Sequence, residues 1–198
     1  MASRSLDDLH PLLAQAYRRA RDEYHQKYPQ RPQPFVTCTY RSQEEQKALH
    51  AQGRLPLTEI NQLRNAAGMT PIGASEGQKR VTNASPGQSA HNYRPALAFD
   101  VAFITTDQRV DWNPQLFALF APLVLAVAGT EWGGAWTSFQ DSPHFQLRDW
   151  RTYLNASRPR TREAIAATEE PLHEIENFNP ERTEELAEAP PTALRSQQ

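Results

Sequence analysis

The run Leu97-Ala98-Phe99-Asp100-Val101-Ala102-Phe103-Ile104 decides how this chain is read. Large apolar residues alternate with small ones, the pattern of a β-strand. On a period of two, Leu97, Phe99, Val101 and Phe103 face a core, while Ala98, Asp100 and Ala102 face the other side. One carboxylate is thus set on a strand face between two alanines.

Working outward toward the C-terminus, Asn113-Pro114 reads as an N-cap and first helical position. The apolar run Leu116 to Ala128 follows as a buried helix closed by Gly129, and Pro122 within it predicts a kink or a late start. Thr130 to Trp132 and Phe145 to Leu147 read as short strands around a Gly133-Gly134 turn. Toward the N-terminus, Ser5 with Asp8 resembles a capping box. The positions Leu6, Leu9, Leu13, Ala16, Tyr17, Ala20 and Tyr24 then predict a helix ended by Pro29, Pro32 and Pro34. Phe35 to Tyr40 reads as a strand, and Ser42 with Glu45 opens a second helix that Gly53 stops. From Leu55 to Gly87 turn formers dominate, and the reading is a long surface excursion of the kind that often carries function.

The 198 residues suffice for one domain and a tail. From about residue 155 the composition shifts to nine Glu, five Arg and five Pro with few large apolar residues, so 1–154 is read as the domain and 155–198 as a disordered or loosely helical tail. A net charge of −2 leaves no basic footprint for nucleic acid, and no apolar run is long enough to insert in a membrane. Met1 to His10 lacks the apolar stretch of a secretory signal, so a cytoplasmic start is expected. Cys38 is the only cysteine. It reads as a small buried hydrophobe, a thiolate zinc site is taken as excluded, and any metal must then be held by imidazoles and carboxylates.

Three places could supply such a set: His91 in Ser89-Ala90-His91-Asn92-Tyr93, Asp100 on the strand, and His144 in Asp141-Ser142-Pro143-His144. Two imidazoles and a carboxylate are the usual ligands of a hydrolytic zinc, whose bound water has a pKa of about 7. Asp141, in a Pro-containing turn three residues before His144, is the candidate for moving a proton from water to a departing amine. His10, His25, His50 and His173 sit in polar helical stretches or the tail and read as solvated. Trp132 and Trp136 read as core or cleft wall.

Several blocks, in order, resemble the VanY-like D-alanyl-D-alanine carboxypeptidase and L-alanyl-D-glutamate endopeptidase family, in particular its phage endolysin branch. They are Thr39-Tyr40-Arg41-Ser42 with Glu45-Gln46, Gln52-Gly53-Arg54, Val81-Thr82-Asn83-Ala84, Pro86-Gly87-Gln88-Ser89 leading into His91-Asn92-Tyr93, Ala98-Phe99-Asp100, Glu131-Trp132-Gly133-Gly134 with Trp136, and Asp141 to Gln146. The resemblance spans roughly residues 5 to 150. It implies an α+β fold, the small zinc-peptidase fold with helices packed on an antiparallel sheet and a mobile C-terminal tail.

It also implies Zn2+ held by His91, Asp100 and His144, catalysis by Asp141, and substrate contacts from Arg41 and Ser89. The implied substrate is the stem peptide of peptidoglycan. The implied setting is a monomeric endolysin, kept in the host cytoplasm until a holin gives it access to the wall. One departure stands out: the family usually places a Gly shortly after the first His and six residues between His and Asp. Here Arg94-Pro95-Ala96 occupies that stretch and eight residues intervene. Two extra residues preserve strand parity, so Asp100 still faces the metal if the loop bulges outward.

Two other readings of the same machinery are a D-alanyl-D-alanine carboxypeptidase or dipeptidase and a non-catalytic zinc-fold module that binds the wall. A Cys-His protease built on Cys38 would need an activating environment that the sequence does not show.

Overall fold

The computed structural model describes residues 2–156; the tail expected from 155 onward lies almost wholly outside them. Strands β1 (Gln33–Cys38), β2 (Ala98–Ile104), β4 (Thr130–Trp132) and β5 (His144–Leu147) form an antiparallel sheet in the order β1-β2-β5-β4, with the two-residue β3 (Val110–Asp111) pairing the far end of β2. Around it lie α1 (Pro11–Lys27), α2 (Gln43–Ala51), α3 (Leu57–Ala66), α4 (Ala74–Gly77), α5 (Pro114–Leu125) and α6 (Trp150–Ala156). The α+β expectation, helices on an antiparallel sheet, is borne out. Among the described residues, no helix is long and apolar enough to cross a membrane.

The alternation in β2 works as expected on the core side. Phe99 packs edge-on to Tyr17 of α1 and stacks on Phe145 of β5, with centroids 5.6 and 5.3 Å away. Phe103 meets Tyr24 of α1 and Phe117 and Phe120 of α5 at 5.7, 5.1 and 6.1 Å. Edge-to-face contacts of this kind add to the area term because ring edges and faces carry opposite partial charge. The opposite face is also covered, since Ala98 and Ala102 are fully buried, and of its three residues only Asp100 keeps some exposure.

Several boundaries differ from the expected ones. Ser5 accepts a hydrogen bond from the Asp7 amide but starts only a short 3-10 turn, Leu6–Asp8, and α1 begins at Pro11 with His10 as its cap. Proline disfavours helical geometry in the residue before it, so a helix cannot run from Ser5 through position 11. The intervening Leu9 instead pairs with Ala96. Strand β1 starts at Gln33, two residues earlier than expected, and includes Pro34. A proline is tolerated there because β1 is an edge strand.

The stretch after Leu55 is not structureless. Leu57–Ala66 forms α3, which buries Ile60 and packs against α2. Three large apolar residues at helical spacing (Leu57, Ile60 and Leu63) were too thin a stripe to outweigh the surrounding turn formers. The Ser42–Glu45 capping box, the Asn113 cap with Pro114, and the two strands flanking Gly133-Gly134 appear as expected. Pro122 lies inside α5, which ends three residues later at Leu125, before the expected Ala128.

Phe103 is fully buried where α1, α5 and β2 meet. Phe103→Ala is expected to lower the unfolding free energy by about 3–5 kcal/mol, measured by urea denaturation. A loss below about 1 kcal/mol would contradict this packing.

Candidate metal centre

The sheet register builds the centre. Asp100 on β2 lies directly opposite His144 on β5, and on its other flank it is paired with Cys38 of β1. Side chains of directly opposed residues share a face with Cβ atoms roughly 5 Å apart, so Asp100 and His144 project together. The β1 partner reaches that position through a register shift between Val36 and Cys38, a bulge that sets two β1 residues against Asp100.

His91 comes from outside the sheet, on a 3-10 turn (Ala90–Asn92) capped by Ser89, whose Oγ accepts from the His91 amide. Backbone bonds from Leu97 to Ala90 and from Arg41 to His91, 2.9 and 3.0 Å, tie the turn to the start of β2 and the end of β1.

Three atoms converge. His91 Nε2 is 3.2 Å from Asp100 Oδ1 and 3.2 Å from His144 Nδ1, and His144 Nδ1 is 3.0 Å from the same Oδ1. Donors at the corners of a tetrahedron with bonds of about 2.0 Å stand roughly 3.3 Å apart, so these separations fit one small divalent cation. The donor chemistry fits zinc as well, and His91, Asp100 and His144 would hold it.

The remaining ring nitrogens face acceptors. His91 Nδ1 lies 2.6 Å from the Thr39 carbonyl, which can only accept, so Nδ1–H donates there and Nε2 is the nitrogen that would present a lone pair once zinc displaces its proton. His144 Nε2 lies 3.1 Å from Gln146 Oε1, and its Nδ1 is turned inward. Arg41 Nη2 donates to Asp100 Oδ2 at 3.3 Å, which leaves Oδ1 for the cation.

The electrostatics point the same way. Burial alone would push the His91 pKa down, but the Asp100 carboxylate and the Cys38 sulfur outweigh it and raise it to about 10. Burial raises Asp100, yet His91 and the hydrogen bonds from both imidazoles hold it well below the usual carboxylate range. A buried carboxylate set against imidazole and guanidinium groups in this way favours positive charge beside it. Asp141 is shifted the opposite way: burial and then repulsion from Asp100 raise it, against the pull of His144, His91 and Arg41.

Cys38 corrects one expectation. It is buried, as expected, but its sulfur is 3.6 Å from His91 Nδ1 and 3.5 Å from Arg41 Nη2, and Cys38, His91 and Asp100 together offer ligand-type atoms within 4.8 Å of one another. A thiol therefore borders the centre, and excluding sulfur from its surroundings on the cysteine count was too strong. Because it sits on the Nδ1 side of His91, away from the inward nitrogen, the triad of His91, Asp100 and His144 remains the better donor set.

Two residues outside the expected site also belong to its surroundings. Glu131 of β4 accepts from Gln146 Nε2 at 3.1 Å and from the Trp136 indole at 2.6 Å. The signal available in the sequence was the His144-Phe145-Gln146 spacing, which puts Gln146 on the His144 face of β5. Gly133 is required here for space: a Cβ would stand 2.6 Å from the Asp141 carbonyl and 3.2 Å from the His144 Cβ. Trp132 packs against Phe145, and Trp136 packs on His144 with centroids 5.3 Å apart.

The centre opens into a cleft of about 790 Å³ whose walls include Arg41, Thr82, Ser89, Trp136, Phe139 and Asp141. All six expected site residues therefore border one cleft. The extra residues between His91 and Asp100 are absorbed away from it: Arg94 bonds Asp8 at 2.7 Å and lies over the Tyr40 ring, while Ala96 exchanges backbone hydrogen bonds with Asp8 and His10.

The resemblance to the VanY-like family drawn from the sequence blocks is borne out by comparison with known proteins. Residues 82–147, which contain the whole triad and Asp141, match the family model described as D-alanyl-D-alanine carboxypeptidase. The peptidoglycan L-alanyl-D-glutamate endopeptidase CwlK of Bacillus subtilis (strain 168) is 29% identical over 120 residues, covering 57% of this chain; the chain spans 59% of that relative's length.

Among solved structures, the Serratia marcescens L-Ala D-Glu endopeptidase ChiX is 24% identical with a TM-score of 0.44, covering 77% of this chain and 92% of that one. The vancomycin resistance D,D-pentapeptidase VanY, in complex with Zn(II), is 16% identical with a TM-score of 0.44, covering 70% and 72%.

Because His91 holds a proton up to about pH 10 in the metal-free centre, zinc must displace it. Zinc affinity is expected to rise about tenfold per pH unit across the neutral range, measured by chelator competition; a flat profile would count against His91 as a ligand. Asp100→Ala is expected to abolish stoichiometric zinc uptake in metal analysis, and unchanged zinc content would show that another group closes the site.

Proposed function

We propose that this protein is a zinc-dependent peptidoglycan peptidase that hydrolyses the L-alanyl-D-glutamate bond of cell-wall stem peptides. The observation that carries the reading is the convergence of His91 Nε2, Asp100 Oδ1 and His144 Nδ1 within 3.2 Å of one another, in a cleft that Asp141 also lines. The endopeptidase assignment draws support from the activity of the Bacillus relative.

Zinc, when bound, supplies Lewis acidity toward water and the scissile carbonyl. The chain's own groups do the rest. Burial and the nearby Asp100 raise the pKa of Asp141 and make its ionised form a stronger base. In that form Asp141 takes a proton from the attacking water on a carboxylate oxygen. It then returns that proton to the departing amine nitrogen as the C–N bond breaks. The water oxygen and its second hydrogen end in the new carboxyl group, which then ionises.

Arg41 is held by Asp100 and Gln46 and borders the cleft. Its guanidinium would contact the scissile carbonyl or a substrate carboxylate. Ser89 would offer its hydroxyl at the cleft edge. Trp136 and Phe139 give the peptide apolar walls. The resemblance to the endolysin branch supports a lytic role in which a holin gives the enzyme access to the wall.

Asp141→Ala is expected to lower the rate of peptidoglycan hydrolysis by about 10²–10⁴-fold while zinc content stays at one equivalent. Lysis at the wild-type rate would remove Asp141 from the mechanism. Mass spectrometry of digested peptidoglycan is expected to show new D-Glu amino termini; release of D-Ala instead would make the protein a carboxypeptidase with the same centre. Zinc uptake without any cleavage would make it a wall-binding module.

A further inference from the structure

Glu131 and Gln146 face each other across β4 and β5, and together they make a hydrogen-bond chain with only one consistent assignment of donors and acceptors. Both Glu131 oxygens are acceptors. One receives the Trp136 indole N–H at 2.6 Å, and the other is 3.1 Å from the Gln146 amide. A carboxylate can only accept, so Gln146 must turn its NH2 toward Glu131 and its oxygen toward His144. That oxygen is 3.1 Å from His144 Nε2, so Nε2 must carry a proton, and the neutral ring that binds metal then presents its lone pair at Nδ1. Nδ1 is the nitrogen 3.0 Å from Asp100 Oδ1 and 3.2 Å from His91 Nε2.

We propose that Glu131 is a positioning residue: through Gln146 it selects the His144 tautomer that can bind metal, and thereby sets how tightly the triad of His91, Asp100 and His144 holds zinc. This rests on the reading of the triad as a metal centre. Glu131 also fixes the indole of Trp136, which packs on the His144 ring and lines the cleft, so one carboxylate holds both a ligand and the wall beside it.

An amide at position 131 offers one acceptor and one donor. If its oxygen keeps the Trp136 bond, its NH2 meets the NH2 of Gln146, and Gln146 relieves the clash by flipping. The flipped amide then presents a donor to His144 Nε2, which moves the ring proton to Nδ1 and takes away the metal-binding lone pair. Exchanging the two residues repairs the chain. With Glu131→Gln and Gln146→Glu together, the new amide accepts from Trp136 and donates to the new carboxylate, whose other oxygen again accepts from Nε2–H.

The test measures zinc affinity of the full chain by chelator competition, with long-range 1H–15N correlation of the histidine rings in the zinc-loaded protein. The wild type is expected to show His144 protonated at Nε2 and metal-bound at Nδ1. Glu131→Gln is expected to weaken zinc binding about 10–100-fold, and the double exchange to restore it to within a few-fold of wild type. A role in folding alone would not be rescued this way. Because the double exchange also restores the net charge lost in Glu131→Gln, the ring proton of His144 in metal-free Glu131→Gln separates the relay from a charge effect. It moves to Nδ1 if the relay holds, whereas a proton found at Nε2 overturns the proposal.

Wild-type affinity in Glu131→Gln, a double variant binding no tighter than the single, or a wild-type His144 bound through Nε2 would each overturn the proposal. Should Glu131→Gln fail to fold, the double exchange decides: affinity more than about tenfold below wild type overturns it. A wild-type chain that takes up no zinc would instead overturn the metal-centre reading on which the relay stands.

Discussion

The pairing of β2 with β5 is the constraint on which the rest depends. Its register puts Phe99 opposite Phe145 on one face and Asp100 opposite His144 on the other. The first pair is a stacked contact at the middle of the core; the second supplies two of the three donors of the candidate metal centre. Because side chains alternate along a strand, the two faces cannot slip independently. A shift of one residue would bury Asp100 among the aromatics of α1 and α5 and aim Phe99 at the cleft. The hydrophobic core therefore acts as the gauge that places the ligands, and its packing energy resists any register in which they would miss each other.

Placement alone does not make a ligand, since an imidazole must also present the correct nitrogen. Here the centre is bordered by groups that can only accept: the Thr39 carbonyl behind His91 and, at two removes, the Glu131 carboxylate behind His144. Asp100 faces the opposite requirement. It needs one oxygen free and the other occupied, and Arg41 occupies it. In the metal-free centre the proton on His91 and the Arg41 guanidinium both face the buried carboxylate, so the cavity is arranged to set positive charge against Asp100. The raised pKa of Asp141 belongs to the same field, because Asp100 repels a second nearby anion.

How much of this could be read in the sequence varies with how local the cause is. The alternation in Leu97–Ile104, the Ser42–Glu45 box and the Asn113-Pro114 start are decided within a few residues and came out as expected. The start of α1 did not, because Pro11 and the pairing of Leu9 with Ala96 override a capping pattern at Ser5. Helix α3 was missed because its stability comes from burial of Ile60 and from the packing of the helix on α2 more than from its own stripe. At the centre, His91, Asp100, Asp141 and His144 stood out through motif blocks. Glu131, Gln146 and the nearness of Cys38 to His91 depend on strand register, including the bulge in β1. No spacing rule carries that information.

The departure between His91 and Asp100 shows how the fold tolerates insertion next to a geometry good to a few tenths of an ångström. Two extra residues could be taken up by shifting either end of the segment, but both ends are anchored. Asp100 is locked by three strands, and the turn bearing His91 is tied to β2 through Leu97 and to β1 through Arg41. The added length has only the middle in which to go. There Ala96 finds backbone partners in Asp8 and His10, and Arg94 pairs with Asp8 over the Tyr40 ring. The same N-terminal segment pairs through Ser3 with Thr39 and Tyr40, the stretch whose carbonyl orients His91. Residues that look like a leader to the first helix are thus a brace, and the loop that departs most from the family pattern is held by the segment nearest the chain's start.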